Sequence, residues 1–280
     1  MKQTMRIDAA IEDARTQLAT VSDSARLDAE ILLARTIDVP RSYLIAHPED
    51  TLDDAARERL DSLLDRRIAG EPMAYITGIK EFWSLELMVS PATLVPRPET
   101  ELLVDLALRE IPRNVASQVL DLGTGSGAIA LAIASERVMC EVTATDVDAA
   151  ALAVARQNAR QLSIANIAFV QGDWTGAVTG LKFDVVVSNP PYVRDGDPAL
   201  EALQCEPQAA LVGGRDGLDA IRVLARDCGA ILGSDGILLL EHGAEQQRDV
   251  EKTLLEQHWS SIECHNDLAG FPRATTARRG

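Results

Sequence analysis

Over the first 70 or so residues, apolar positions return at helical spacing. Ala9, Ile11, Ala14 and Leu18 form one stripe, and Leu27, Ile31, Leu32 and Ala34 form a second behind the cap signal Asp23-Ser24. Leu60, Leu63, Leu64 and Ile68 form a third, so this stretch predicts amphipathic helices that share a core. From Ala74 to Ser90 the period changes to two. Trp83, Leu85, Leu87 and Val89 fall at every second position and predict a β-hairpin. After Pro98, short apolar runs at 118–122, 141–145, 167–171, 183–187 and 237–241 alternate with helical patterns such as 128–134 and 149–160. Such alternation predicts an α/β fold, a doubly wound sheet with helices on both faces. The chain therefore divides into a helical domain at 1–73, a β-hairpin linker at 74–92 and an α/β domain at 93–280.

Composition narrows what such a chain does. With 280 residues, 46% of them hydrophobic, it can bury a full core in one large or two smaller domains. No internal repeat or low-complexity tract interrupts it, and no apolar run approaches the length of a membrane span. Its first residues, Met1-Lys2-Gln3-Thr4-Met5-Arg6, lack the apolar segment of a signal peptide, which makes the cytoplasm the default location and monomer the default state. Against 27 Lys and Arg stand 43 Asp and Glu, a formal charge of −16. Phosphate neutralisation needs a basic footprint, and Arg57-Arg59, Arg66-Arg67 and Arg278-Arg279 are short clusters that read as solvated surface, so nucleic acid is a poor principal ligand. An acidic surface suits a cation or a basic protein. Cys140, Cys205, Cys228 and Cys264 have neither disulfide nor zinc spacing, and no metal is expected. His47, His258 and His265 read as structural or exposed; His242, at the end of the run 237–241, carries slightly more weight without being catalytic.

Candidate chemistry gathers at the ends of the predicted strands. Gln118–Leu122 runs into Gly123-Thr124-Gly125-Ser126-Gly127 and then a helix. Glycines at alternate positions allow positive φ and close approach of the backbone to a ligand. Their spacing departs from Gly-x-Gly-x-x-Gly, and Asp121 just before them is ill placed for a pyrophosphate but well placed for a cationic ligand, which favours a sulfonium cofactor over NAD. Asp146 ends the next strand about 20 residues beyond the loop, where a carboxylate takes ribose hydroxyls; capping the following helix is the alternative, though Asp148 could do that instead. Asp173-Trp174 after the third strand offers a carboxylate and an aromatic wall, or else a helix cap and a core tryptophan. Asn189-Pro190-Pro191-Tyr192 closes the run 183–187. Its carbonyls, unopposed by proline N–H groups, could hold a planar NH₂ under an aromatic ring, though alone it fits a strand end closed by a Pro-Pro turn equally well.

In this order and spacing, these motifs resemble the class I S-adenosylmethionine-dependent methyltransferases that modify planar amino nitrogens. The segments 71–78, Glu81-Phe82-Trp83 and 94–101, with Glu206-Pro207, Ala210-Leu211, Gly213-Gly214, Asp216-Gly217-Leu218 and Glu241-His242-Gly243, are similar to the release factor glutamine methyltransferase family (HemK/PrmC type). The resemblance implies a Rossmann-like sheet of seven mostly parallel strands behind a helical substrate-recognition domain. It implies S-adenosylmethionine as methyl donor, S-adenosylhomocysteine as product, and methylation of the glutamine side-chain amide in the Gly-Gly-Gln motif of peptide chain release factors during translation termination. By the same resemblance, Gly123, Thr124, Gly125, Ser126 and Gly127 would line the methionine and ribose part of the cofactor, Asp146 would take the ribose, and Asp173 and Trp174 would flank the adenine. Asn189 and Pro190 would bind the amide NH₂, Tyr192 would pack on its plane with Pro191 beside it, and Arg97, Glu99 and Glu101 would stand near the methionine end.

Two other functions stay open on the residues alone. An amino-nitrogen methyltransferase acting on DNA or RNA bases would share the Asn-Pro-Pro-Tyr pocket, and a binding-only protein would need the cofactor loop without Asn189. Charge separates the first from a protein methyltransferase. If the acidic surface steers a basic protein substrate, stopped-flow association with a release factor should slow as salt is added; a salt-independent rate removes steering.

Overall fold

The computed structural model describes residues 5–279, in two compact units that divide between Gly78 and Ile79. In the amino-terminal unit, β1 (Met5–Arg6) pairs antiparallel with β2 (Thr51–Leu52) among helices α1 (Ile7–Leu18), α2 (Ala25–Thr36), α3 (Arg41–Ala46), α4 (Asp54–Ile68) and α5 (Met73–Thr77). The predicted helices are present, but their buried stripes are shifted. On α1 the buried set is Ile7, Ala10, Ala14 and Leu18, a strict three-four-four spacing that leaves Ala9 exposed. Leu27 and Ile68 are likewise exposed, and Ala29, Leu32 and Leu33 carry the core face of α2. Ser24 precedes α2 but makes no cap bond, whereas Asp53 caps α4 through Ala56 N–H at 2.6 Å. Arg67 is not solvated as expected: it bonds the buried Asp28 carboxylate at 3.0 Å.

The second unit begins with the hairpin β3 (Ile79–Phe82) and β4 (Leu85–Met88). The β pattern assigned from Ala74 fails over its first residues, because Met73–Thr77 is helical and ends at Gly78 with φ 77°. Trp83, read as a strand position, sits in the turn with Ser84, at φ 52° and 58°. Two consecutive left-handed residues suit the twist of a two-residue hairpin loop.

Beyond the hairpin come α6 (Glu101–Glu110), β5 (Gln118–Leu122), α7 (Ala128–Glu136), β6 (Glu141–Asp146), α8 (Ala149–Gln161), β7 (Ile167–Gln171), β8 (Phe183–Ser188), α9 (Ala199–Ala202), α10 (Asp219–Asp227), β9 (Leu232–Glu241), α11 (Gln247–Glu256), β10 (Trp259–Asn266) and β11 (Pro272–Arg279). Seven strands form one sheet in the order β10-β11-β9-β8-β5-β6-β7. Strands β5 to β9 are parallel neighbours, and β11 runs antiparallel between β9 and β10. The alternation of helix and strand thus stops at α11, and the chain closes with a hairpin. Burial explains the strand sequences: Val185 and Val187 of β8 face one helical layer while Val186 faces the other, so both faces are apolar. Helix α7 is apolar all round because it is buried on every side from Ala128 to Ala134. Among the described residues, no helix is long and apolar enough to cross a membrane.

Topology places the site. The chain starts the sheet at β5, adds β6 and β7 on one side, then returns to add β8 on the other, so the strand order reverses between β5 and β8. A crevice opens at their carboxyl ends. There the Ser188 hydroxyl donates to the Leu122 carbonyl at 2.7 Å and holds the two ends together. Asn158 of α8, wholly buried, ties the hairpin to the adjoining loop. It accepts from Met88 N–H at 2.8 Å and donates to the Met88 and Ser126 carbonyls at 3.0 and 2.9 Å. Replacing Asn158 with Ala strands one buried and two partly buried backbone groups, the buried one costing roughly 1–3 kcal/mol when unsatisfied. Urea unfolding should show a midpoint lowered by at least about 2 kcal/mol equivalent at unchanged slope.

Candidate functional site

At the carboxyl ends of β5 to β8 lies a cleft of about 230 Å³, walled by Gly123 to Ser126, Asp146, Asp148, Asp173, Trp174, Asn189 and Pro191, with Thr93, Leu94, Pro96, Arg97 and Thr100 from the segment before α6. Gly123, Gly125 and Gly127 have φ of 74°, 56° and 86°, which only glycine adopts without strain. The loop is drawn against the end of β6: Gly123 and Thr124 donate to the Thr145 carbonyl at 2.9 and 2.8 Å, and Gly125 donates to Asp146 Oδ2 at 2.9 Å. Gly127 takes a different place from its loop neighbours. It is not part of the cleft wall but starts α7, where a Cβ would lie 3.0 Å from Leu131 and 3.2 Å from Ala155. Its smallness serves the packing of α7 on α8.

Neither Asp146 nor Asp173 caps a helix. Asp148, not Asp146, caps α8, accepting from Ala150 N–H at 2.8 Å. Asp146 instead spans the loop, accepting from Gly125 on one oxygen and from Asp148 N–H on the other at 2.9 Å. Asp173 precedes the short turn Trp174–Val178 without capping it, so its carboxylate is left to the cleft. Trp174, with φ 41°, packs on the core and also lines the cleft.

The tetrapeptide separates into distinct positions. Asn189 and Pro191 line the cleft; Pro190 is buried behind it, and Tyr192, half-buried, is not in its wall. Asn189 Nδ2 donates to Thr100 Oγ1 at 3.2 Å, which leaves Oδ1 as the acceptor. The Tyr192 hydroxyl donates to Glu241 Oε1 at 3.2 Å. The carbonyls of Pro191 and Tyr192 lie against the loop that holds Gly213 and Gly217. A Cβ at Gly213 would stand 2.5 Å from the first, and the second accepts from Gln246 at 3.0 Å. A Cβ at Gly217, φ 76°, would lie 2.2 Å from Tyr192 O, so these glycines allow one backbone to lie against the other.

The segment 94–101 is split as well. Arg97 reaches the cleft and pairs with the buried Glu206, which also accepts from Val95 N–H at 3.0 Å. Glu101 bonds Trp83 N–H at 2.8 Å, in the hairpin turn, and Glu99 is exposed; neither lines the cleft. His242 is fully buried with both ring nitrogens engaged, by the Gly243 carbonyl and Thr275 Oγ1 at 2.9 Å each, and burial lowers its pKa. Those contacts make it structural.

Sequence reading gave no role to Thr100, Glu206, Asn158 or Glu241. Glu241 carried a signal, a carboxylate closing an apolar run; Glu206, set between glutamines, and Asn158, on an exposed-looking alanine-rich helix, carried none. Two buried carboxyls stand out electrostatically. Burial pushes Asp121 up to about 7 against the opposing bond from the Thr124 hydroxyl at 2.6 Å, and its Oδ1 has no hydrogen-bond partner among the described residues. Burial likewise pushes Glu241 up to about 7, opposed by Thr100, Arg273 and Tyr192.

Comparison with known proteins gives matches to both units. Residues 9–78 match the PrmC N-terminal domain, and residues 99–212 match the methyltransferase small domain. A release factor glutamine methyltransferase from Coxiella burnetii is 43% identical over 276 residues, covering 99% of this chain and all of that protein. One from Salmonella typhimurium is 45% identical over 259 residues, covering 92% of this chain and 93% of that protein. A methyltransferase crystal structure from Pyrococcus furiosus shares the fold at TM-score 0.55 and 20% identity, covering 79% of this chain and 99% of that one.

The Asp121 carboxyl makes stability pH-dependent in a definite sense. Its folded value of about 7 lies above its ordinary 3.8, so its contribution is present below pH 3.8 and lost as pH rises through 7. Asp121→Asn removes that loss. In calorimetry the melting temperature of the variant, relative to the wild type, should rise steadily between pH 4 and 7; a constant offset contradicts the assignment.

Proposed function

Because this chain belongs to the release factor glutamine methyltransferase family, we propose that it transfers a methyl group from S-adenosylmethionine to the side-chain amide nitrogen of the Gly-Gly-Gln glutamine in peptide chain release factors. The observation that carries the reading is the polarity of Asn189. With Nδ2 committed to Thr100, Oδ1 is the acceptor that Asn189 offers the cleft, as a substrate NH₂ requires.

The lining of the cleft fits this cofactor. Asp146, Asp148 and Asp173 are acidic, and the cation of the wall, Arg97, is already paired with Glu206, so the site favours a positively charged ligand. When bound, S-adenosylmethionine supplies an electrophilic methyl group. The chain does the rest. Gly123 and Gly125 let the backbone lie close against the ligand, Asp146 offers remaining lone pairs to ribose hydroxyls, and Asp173 and Trp174 offer an acceptor and a flat wall to adenine. An amide nitrogen is a poor nucleophile because its lone pair is delocalised. Acceptors at Asn189 Oδ1 and the Pro190 carbonyl would hold both amide hydrogens and favour a tetrahedral nitrogen, and alignment of this kind contributes about 7–11 kcal/mol in well-oriented reactions. Tyr192 would border the amide from its place beside Glu241. The product would be S-adenosylhomocysteine, with no metal in the reaction. The amino-terminal unit, which matches the PrmC N-terminal domain, would bind the release factor, in the cytoplasm.

Incubation with labelled S-adenosylmethionine and, separately, purified release factor, tRNA and duplex DNA tests the proposal. Label should enter the release factor at glutamine, and label in nucleic acid alone overturns it. Asn189→Ala should lower kcat by the equivalent of about 2.7–4 kcal/mol, with cofactor affinity in calorimetry nearly unchanged.

A further inference from the structure

Beyond the end of β8 the chain has few main-chain donors to hold it in place. Pro190 and Pro191 carry no N–H, so within the tetrapeptide only Asn189 and Tyr192 can donate from the backbone. The two rings also lock φ and confine the residue before each to extended conformations, which makes Asn189 to Pro191 a stiff rod. Its pose is set where its ends are held. One end continues β8, in register with β5. At the other end stands Gln246, in the turn Ala244–Gln246 before α11.

Gln246 is buried, 5% exposed, and both ends of its amide are engaged. Oε1 accepts from Gly243 N–H at 2.8 Å, so Nε2 must face the opposite way. There it donates to the Tyr192 carbonyl at 3.0 Å, with the Gly217 and Asp216 carbonyls at 3.3 and 3.4 Å. One side chain thereby ties the outer end of the rod to the loop that holds Gly213 and Gly217. The next residue meets the same loop, since Val193 donates to the Leu211 carbonyl and accepts from Gly213 N–H, both at 2.8 Å. Gln246 itself is not in the cleft wall.

We propose that Gln246 is a positioning residue for methyl transfer: by holding the Tyr192 carbonyl it fixes the segment from Asn189 to Pro191, and with it the angle at which the Asn189 and Pro190 oxygens meet the substrate amide. This deepens the glutamine-amide reading of the cleft and rests on it. A poor nucleophile depends on alignment, so a small displacement of its acceptors costs rate more than binding. Without Nε2 the three carbonyls lose their common donor, and the rod is free to turn about its β8 end. The glycine loop is anchored separately, to Thr145 and Asp146 at the end of β6, so the cofactor side stays in place.

The test is methyl transfer to a full-length release factor by the full chain, with cofactor Kd from calorimetry. Gln246→Leu keeps the bulk and removes the donor; kcat should fall tenfold or more, while the KM for release factor and the cofactor Kd change by less than about twofold. Gln246→Glu keeps an acceptor for Gly243 and sets its second oxygen against the carbonyls, which tests the idea even if Gln246→Leu fails to fold. Ionised, that carboxylate repels them; protonated, it donates to them again. Nearby charged groups have their own partners or face solvent: Asp216 pairs with Arg222, Glu241 takes the Tyr192 hydroxyl, Arg273 bonds Asp267, the His242 ring is held by Gly243 and Thr275, and Glu245 is exposed. Dividing the rate of Gln246→Glu by that of the wild type at each pH removes their titration. The ratio should be a tenth or less at pH 8.5 and climb several-fold by pH 5.5. A wild-type kcat in folded Gln246→Leu, or a ratio for Gln246→Glu that does not move with pH, overturns the role of Gln246 alone. A wild type inactive on release factor sinks the glutamine reading and this proposal with it.

Discussion

The parallel pairing of β5 with β8, in the register that sets Leu122 beside Ser188, is the constraint on which the rest of the site depends. These residues are 66 positions apart in sequence, yet one hydroxyl joins the strand ends, from Ser188 to the Leu122 carbonyl. The segments that leave the two strands therefore share one space. The glycine loop departs from β5 and Asn189 from β8, so both border one cleft because two strand ends coincide. A slip of one residue would exchange valine for valine between the two apolar faces but would part Ser188 from the Leu122 carbonyl.

The larger features of this arrangement were legible because they repeat. Period-two and helical spacing identified the strands from Gln118 to Val187 and the amino-terminal helices, and glycine at alternate positions marked the loop. What escaped has a common physical cause: it depends on which partner a residue meets across long sequence separations. The α1 stripe could be read as Ala9-Ile11 or Ile7-Ala10 until packing chose. Met73–Thr77 carries strand-like residues yet takes a helical turn, ended by a left-handed glycine. Gly127 resembles its loop neighbours in sequence, and only the proximity of Ala155 shows that it serves helix packing. Among residues that line the cleft, Asp146, Asp173, Trp174 and Asn189 could be picked out because they lie at or just past strand ends. Thr100 and Glu206 could not, since their partners lie 89 and 109 positions away.

Buried carboxyl groups run through this domain in two styles. Glu206 is fully used, by Arg97 and the Val95 amide, and acts as a clasp. Asp121 and Glu241 each leave one oxygen without a partner among the described residues, and burial raises both. Such groups cost stability, and they persist where their hydrogen-bonding direction is of use. One lies in β5 just before the glycine loop, and the other, at the end of β9, holds the Tyr192 hydroxyl.

The two glycines that press on the tetrapeptide have a consequence for how the chain can vary. Gly213 and Gly217 stand where any Cβ would collide with the carbonyls of Pro191 and Tyr192, while Arg215 between them is exposed. Over a stretch of five residues the tolerated alphabet swings from a single letter to nearly any and back again. Drift in this loop is thus confined to its outer rim, and the path of the tetrapeptide beside it is inherited through positions that contribute no side chain at all.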